Sequence, residues 1–189
     1  SNSNQIHFPT CLNLSVSSTP SCILVHDRYV IFGTRDGVLT SIDVSKTFRS
    51  KEISKSRISC LGVMKETRVL VAVDVRGGLI LVDLKSFDTL RNVSVPNGVS
   101  KMIVGDGIVY VATSTRVYSI RLDTKAESVL LHSSLTPIVS ISLSSGSIVV
   151  SLAEGEHIRL DDKFNTDTDR SSSSYVDEGT KWLRRSRSQ

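Results

Sequence analysis

The residues able to do chemistry are scattered through this 189-residue chain. The four histidines, His7, His26, His132 and His157, stand apart, with no second histidine four residues away and no His-Glu-x-x-His run. Zinc needs three or four donors converging on one point. The densest candidate is Glu154-Gly155-Glu156-His157, and neither a second histidine nor a nearby aspartate completes its shell. His26-Asp27 reads as turn chemistry. Cys11, Cys22 and Cys60 are odd in number and lack Cys-x-x-Cys spacing. They read as apolar strand residues, not as disulfide partners or metal ligands. Serine is abundant, but no Gly-x-Ser-x-Gly elbow presents one as a nucleophile. The turns Gly33-Thr34-Arg35-Asp36-Gly37, Val73-Asp74-Val75-Arg76-Gly77 and Gly105-Asp106-Gly107 have no following helix whose N-terminus would hold a phosphate. No nucleophile, base, metal shell or cofactor cradle is assignable, so the chain is expected not to be an enzyme and to carry no cofactor.

What remains is charge on turns. Arg35, Asp36, Asp74, Arg76, Thr115, Arg116, Glu154 and Glu156 fall between apolar runs. They are expected to ring one rim of the molecule, exposed, with Arg35, Arg76 and Arg116 at equivalent places as a contact for an acidic partner. A second candidate lies at the end of the chain. Arg184-Arg185-Ser186-Arg187-Ser188 resembles a substrate of basophilic kinases, which makes Ser186 and Ser188 candidate phosphorylation sites. Trp182 is the residue type in that tail best suited to anchor a partner.

Composition narrows the field further. The chain is 39% hydrophobic, 22% charged and 5% aromatic. No run approaches the roughly 18 apolar residues that a spanning helix needs. The start, Ser1-Asn2-Ser3-Asn4-Gln5, has neither the basic nor the apolar part of a signal peptide, so an intracellular, cytoplasmic location is expected. It also lacks Met, which suggests that upstream sequence is missing. The formal charge is +4. That excess is mild and dispersed, unlike the clustered basic stripe of a nucleic-acid binder.

The turns need strands to hold them. In Tyr29-Val30-Ile31-Phe32-Gly33-Thr34-Arg35-Asp36-Gly37-Val38-Leu39-Thr40-Ser41-Ile42-Asp43 an apolar strand enters an Asp-Gly turn and leaves through a second strand. Val, Ile, Leu and Thr favour strands, and Asp-Gly suits the positive φ angles of tight hairpins. The unit recurs at residues 69–84, 108–122 and 147–160, and the marker positions Gly37, Gly78, Arg116 and Glu156 lie 41, 38 and 40 residues apart. An apolar stretch precedes each hairpin and a polar one follows the first three. Each period therefore holds four strands: an outer-facing entry, two buried strands and a polar exit.

Four strands every 40–45 residues or so is the pattern of a propeller blade. The expected fold is all-β, with a partial propeller over residues 1–160 and blades at about 21–56, 57–97, 98–135 and 136–160. Residues 8–17, which include Leu12-Asn13-Leu14-Ser15-Val16, would supply the outer strand of a preceding blade. Residues 161–189, with the run Ser171-Ser172-Ser173-Ser174, read as a flexible polar linker and a basic tail.

Ile42-Asp43 and Val82-Asp83 end third strands, and Gly37 and Gly78 mark the turns before them. On these residues the chain resembles degenerate WD40-like β-propeller repeats over about residues 8–160. The family carries Trp-Asp at the first position and a turn at the second. Here no Gly-His precedes a unit, no Trp-Asp occurs, and Arg121 and Arg159 lie near the Asp place in units three and four. Related propeller classes fit equally well. The resemblance implies a protein-interaction scaffold whose partners are other proteins. It also implies a ring completed by upstream blades or another chain, with seven blades favoured over a closed ring of four. The alternatives are a regulatory C-terminal domain of a larger signalling enzyme (a kinase, exchange factor or ubiquitin ligase) and an RNA-associated propeller protein.

Overall fold

A computed structural model describes residues 18–43, 45, 47–105, 107–122 and 127–161. Among them every regular element is a β-strand. Blade one holds β1 (Pro20–His26), β2 (Tyr29–Thr34), β3 (Val38–Asp43) and β4 (Phe48–Glu52). Blade two holds β5 (Ile58–Met64), β6 (Val69–Asp74), β7 (Gly78–Asp83) and β8 (Thr89–Ser94). Blade three holds β9 (Lys101–Val104), β10 (Ile108–Ala112), β11 (Arg116–Arg121) and β12 (Ser128–Ser133), and blade four holds β13 (Ile138–Ser144), β14 (Ser147–Leu152) and β15 (His157–Asp161). Each blade is an antiparallel sheet with its strands side by side in chain order. Residues 8–17, 162–189 and the tail residues Trp182, Ser186 and Ser188 lie outside the described residues.

The expected all-β succession of blades is what the chain forms, with three refinements, the first of them a correction: the entry strand, expected to face outward, faces inward. The entry strands are innermost: β1 packs beside β5, β5 beside β9 and β9 beside β13. Among the described residues no comparable packing joins β13 back to β1. The exit strand β4 is exposed along its whole length, as a sheet edge protected by charge should be. The third refinement concerns the aspartate that ends the third strand. Tyr29 pairs with Asp43, Val69 with Asp83, and Ser147 with Asp161, so blade four keeps the residue at register and only blade three departs, with Ile108 opposite Arg121. Arg159 lies two residues short of that place. The polar composition that begins at Asp161 hid the end of the last strand.

Three apolar cores fill the spaces between successive blades. Ile31 and Leu39 of blade one meet Leu70, Ala72, Ile80 and Val82 of blade two. The alternate residues of blade two, Val71, Val73, Leu79 and Leu81, meet Val109, Val111 and Ile120 of blade three. Tyr110, Ala112 and Val117 on the far side of blade three meet Ile148, Val150, Ile158 and Leu160 of blade four. Side chains alternate between faces along a strand. A strand covered on both faces is therefore apolar at every position, and burying each such side chain contributes about 1.5–3 kcal/mol.

Cys22 and Cys60 are free thiols on β1 and β5, and burial pushes the Cys60 thiol up to about 11. Cys11 lies outside the described residues.

Candidate interaction rim

The turns between second and third strands and the connections between blades share one end of the molecule, and hydrogen bonds tie them together. The carbonyl of Gly37 accepts the N–H groups of Ile53 and Ser54 on the connection to blade two, at 3.0 and 3.2 Å. The carbonyl of Gly77 accepts Val95 N–H at 2.8 Å in the same way. Arg57 on the first connection accepts Val75 N–H at 3.0 Å through its carbonyl, and Pro137 accepts Ala153 N–H at 2.9 Å. The rim is thus a rigid edge on which side chains are displayed.

Three of the four turns share one construction. Gly37, Gly77 and Gly155 have φ of +84°, +84° and +86°, and each donates its N–H to the residue three positions back, Thr34, Asp74 or Leu152. This is a three-residue loop closing on a left-handed glycine. The repeat therefore aligns Gly37 with Gly77 and not Gly78. Alanine at Gly37 would drive its Cβ onto the Ser54 carbonyl, and at Gly77 onto the Val95 carbonyl. Blade three has a shorter turn, in which Thr113 N–H reaches the Arg116 carbonyl at 2.9 Å.

That alignment changes the rim's charge pattern. Arg76 stands where blade one has Asp36 and blade four has Glu154. Arg35 stands where the other two have Val75 and Ala153. The expected ring of like arginines at equivalent places becomes an alternation. Arg35, Asp36, Arg76, Arg116, Glu154 and Glu156 are all exposed, and Thr115 is half-buried. Arg57 adds a further exposed cation from the connection, above a cleft of about 350 Å³ lined by Ser21, Arg57, Ser59, Val75, Gly98, Val99 and Ser100.

Asp74 does not present charge to a partner. It is only 7% exposed. Its Oδ1 accepts Arg76 N–H at 2.9 Å and Gly78 N–H at 2.8 Å, and its Oδ2 accepts the Ser54 hydroxyl at 2.6 Å. Burial alone would raise this carboxyl, but the hydrogen bonds from Ser54, Gly78, Ser56 and Arg76 outweigh it and hold the group below its ordinary value. Asp74 is a turn brace. Thr34 does the same work in blade one, accepting Val38 N–H at 2.9 Å, and Thr113 does it in blade three, accepting Arg116 N–H at 3.2 Å.

Two further arrangements escape inspection of the sequence. Arg49 donates to the Lys85 carbonyl, and Arg91 donates to the Leu122 carbonyl at 2.9 Å. Both face the same register position, opposite Ser41 and Leu81, so the exit strand of one blade clasps the next through a repeated arginine. Arginines 42 positions apart in polar strands were the available signal. On blade four, Ser151 Oγ lies 3.0 Å from His157 Nδ1 as a cross-strand pair. A serine–histidine nucleophile needs a third group to orient the base, and no carboxylate meets this pair among the described residues. His26 Nε2 lies 3.4 Å from Asp27 in the β1–β2 turn. No group of three or more His, Cys, Asp or Glu side chains is gathered for a metal among the described residues.

No family model and no curated protein matches the sequence. Solved structures do match. The β-propeller domain of Myceliophteria thermophila Cps50 (Swd1) is similar over 79% of this chain and 53% of its own, with TM-score 0.71 and 14% identity. The computationally designed Ika4 protein is similar over 76% of this chain and 91% of its own, with TM-score 0.63 and 13% identity. The designed Ika8 protein is similar over 74% of this chain and 44% of its own, with TM-score 0.63 and 22% identity. At these identities the likeness is one of fold, and the fold is that of a β-propeller. The chain spans about half the length of the Cps50 domain and of Ika8. Among the described residues no helix is long and apolar enough to cross a membrane.

Proposed function

We propose that this chain is an intracellular, non-catalytic protein-interaction module of the WD40-like kind, docking its partner across the propeller rim. One observation carries the reading. Arg35, Arg57, Arg76, Arg116, Glu154 and Glu156 are exposed on one rigid end, and none of their side chains has a hydrogen-bond or ion-pair partner among the described residues. The fold makes no use of these charges, and loops held on a rigid scaffold are where binding residues concentrate. Asp43, Asp83 and Asp161 at the ends of third strands support the WD40-like assignment.

The charge is not uniform around the arc. Blades one to three present four arginines, with Asp36, whose carboxylate accepts the Thr34 hydroxyl, exposed among them, and blade four presents two glutamates. The matching partner is a protein with an acidic surface toward blades one to three and a basic one toward blade four. Complementarity of this kind sets orientation and on-rate more than raw affinity.

The experiment is capture of partners from native lysate by four chains: the full chain, Arg57→Glu/Arg76→Glu/Arg116→Glu, Glu154→Lys/Glu156→Lys, and a chain ending at residue 160. Partners that survive loss of residues 161–189 and are lost on either charge reversal support the rim. Partners lost with the tail and retained by both reversals move the function to Trp182, Ser186 and Ser188. Capture of RNA that falls steeply with salt replaces the protein reading with a nucleic-acid one.

A further inference from the structure

The connection into blade two carries a cation that the fold does not need. Arg57 accepts Val75 N–H through its backbone carbonyl. Thr19 holds the same place in blade one, accepting Arg35 N–H at 3.1 Å, and Pro137 holds it in blade four. The joint therefore forms with threonine or proline and asks nothing of a guanidinium. The Arg57 side chain is exposed and has no hydrogen-bond or ion-pair partner among the described residues. It stands at the wall of the cleft of about 350 Å³, a size within the range of about 300–1,000 Å³ usual for small-ligand sites.

Three blades wall that cleft. Ser21 comes from β1, Ser59 from β5, and Val99 and Ser100 lie just before β9. The three hydroxyls are not equivalent. Ser21 donates to the Ile58 carbonyl and Ser59 to the Val73 carbonyl, so both protons are spent inside the fold. Ser100 instead accepts from Lys101 Nζ at 3.4 Å, which leaves its own proton to give. Lys101 meets no carboxylate among the described residues. No carboxylate lines the cleft either. Asp74, next to Val75 in the chain, turns its oxygens to Ser54 and to the Arg76 and Gly78 amides.

A guanidinium fork, an ammonium and a hydroxyl thus stand together with two positive charges unmatched. A carboxylate ligand would neutralise one of them. A phosphate monoester carries about −1.5 to −2 at pH 7 and three strong acceptor oxygens, and a guanidinium binds two such oxygens side by side. Val75 and Val99 offer an apolar wall to the carbon stem that carries the phosphate. We propose that this cleft is a phosphate-monoester site, taking a phosphoserine or phosphothreonine side chain of the partner protein, with Arg57, Ser100 and Lys101 as its donors. The protein-borne source rests on the rim reading above; the anion site does not.

Amide NMR titration of the full chain tests this with three probes at matched ionic strength: N-acetyl-phosphoserine amide, inorganic phosphate and acetate. The phosphoserine probe shifts the Arg57, Ser59, Gly98 and Ser100 amides along a saturable curve. Inorganic phosphate shifts the same amides more weakly, and acetate leaves them in place. Arg57→Gln weakens phosphoserine binding about tenfold or more, and Arg57→Lys less, since the charge survives and the fork does not. Unchanged amides in β14 and β15 show that a variant keeps the fold. Should Arg57→Gln disturb them, Ser100→Ala is read in its place, with a loss of several-fold expected. The proposal is overturned by the absence of a saturable shift, by acetate binding as well as phosphoserine, or by an affinity that neither variant moves. Equal affinity for inorganic phosphate overturns the protein-borne source. The rim reading is judged apart from all of these, by whether partner capture falls in Arg76→Glu/Arg116→Glu, which leaves the cleft's donors untouched.

Discussion

Blade two and blade four are built on the same hairpin and buried to different degrees. In blade two, β6 and β7 are apolar at nearly every position, because blade one covers Leu70, Ala72, Ile80 and Val82 while blade three covers Val71, Val73, Leu79 and Leu81. In blade four, β13 and β14 alternate, with Ile141, Ile148 and Val150 toward blade three and Ser140, Ser142 and Ser151 away from it. A continuous apolar run reports two neighbours, and an alternating one reports one. The number of covered faces is thus written in the pattern of each strand, and substitutions should cost in proportion.

The largest contrast is in the cores. Leu79→Ala empties a fully buried site between blades two and three, and is expected to cost about 2–5 kcal/mol. Val149→Ala, on the outward face of blade four, is expected to cost under about 1 kcal/mol, within the usual range for sites away from a core. Urea unfolding of the two variants measures the difference. Equal losses would mean that something also covers blade four, and the comparison would fail.

The glycine turns sharpen the same point. Gly77 and Gly155 share a left-handed backbone, at +84° and +86°, where any other residue meets a strain of about 1–2 kcal/mol. A methyl at Gly155 has open space, whereas at Gly77 it strikes the Val95 carbonyl and the Asn97 side chain. Gly155→Ala is therefore expected to lose only the backbone strain, and Gly77→Ala distinctly more, because the connection to blade three must move. Thermal unfolding ranks them, and a reversed order would show that the rim at blade two is not the rigid edge described.

The clasp between blades comes next. Arg91→Ala removes a charge-assisted bond to the Leu122 carbonyl and is expected to cost about 1–2 kcal/mol. The equivalent position in blade three is Val129, so the interface between blades three and four has no such arginine. Hydrogen exchange in β10 and β11 should rise in Arg91→Ala, with β14 and β15 unchanged. Uniform change across all strands would assign Arg91 a global role instead.

Much of this was legible from residue order. Period-two and continuous apolar runs placed the hairpins, and charged exit strands marked the edges. What escaped has particular causes. Gly77-Gly78 offers two candidate turn residues, and only backbone φ separates them, so the rim alignment slipped by one and produced a ring of arginines that the turns do not form. Asp74 has the same letter whether it faces water or braces a turn, and the Ser54 hydroxyl that holds it lies 20 residues away. Arg49 and Arg91 look like solvated edge charges because their acceptors are backbone carbonyls, to which the identity of the residue is irrelevant.

Asp74 supplies the smallest expected effect and the one most specific to blade two. Its folded-state carboxyl is held below its ordinary value by the hydrogen bonds of its turn. A group depressed on folding adds stability above its unfolded value of about 3.8, and that stability is lost as pH falls through the lower folded value. In blade four the same position is Leu152, which cannot titrate. Lowering the pH below about 4 should therefore loosen the β6–β7 turn before the β14–β15 turn, seen as earlier exchange of the Arg76 and Gly78 amides than of Leu152. Asp74→Asn should remove this acid sensitivity while lowering stability at neutral pH, since an amide oxygen still accepts the two backbone bonds but without charge. If both turns open together at the same pH in the native chain, the acid limb belongs to the whole molecule, and Asp74 is not the brace that sets blade two apart.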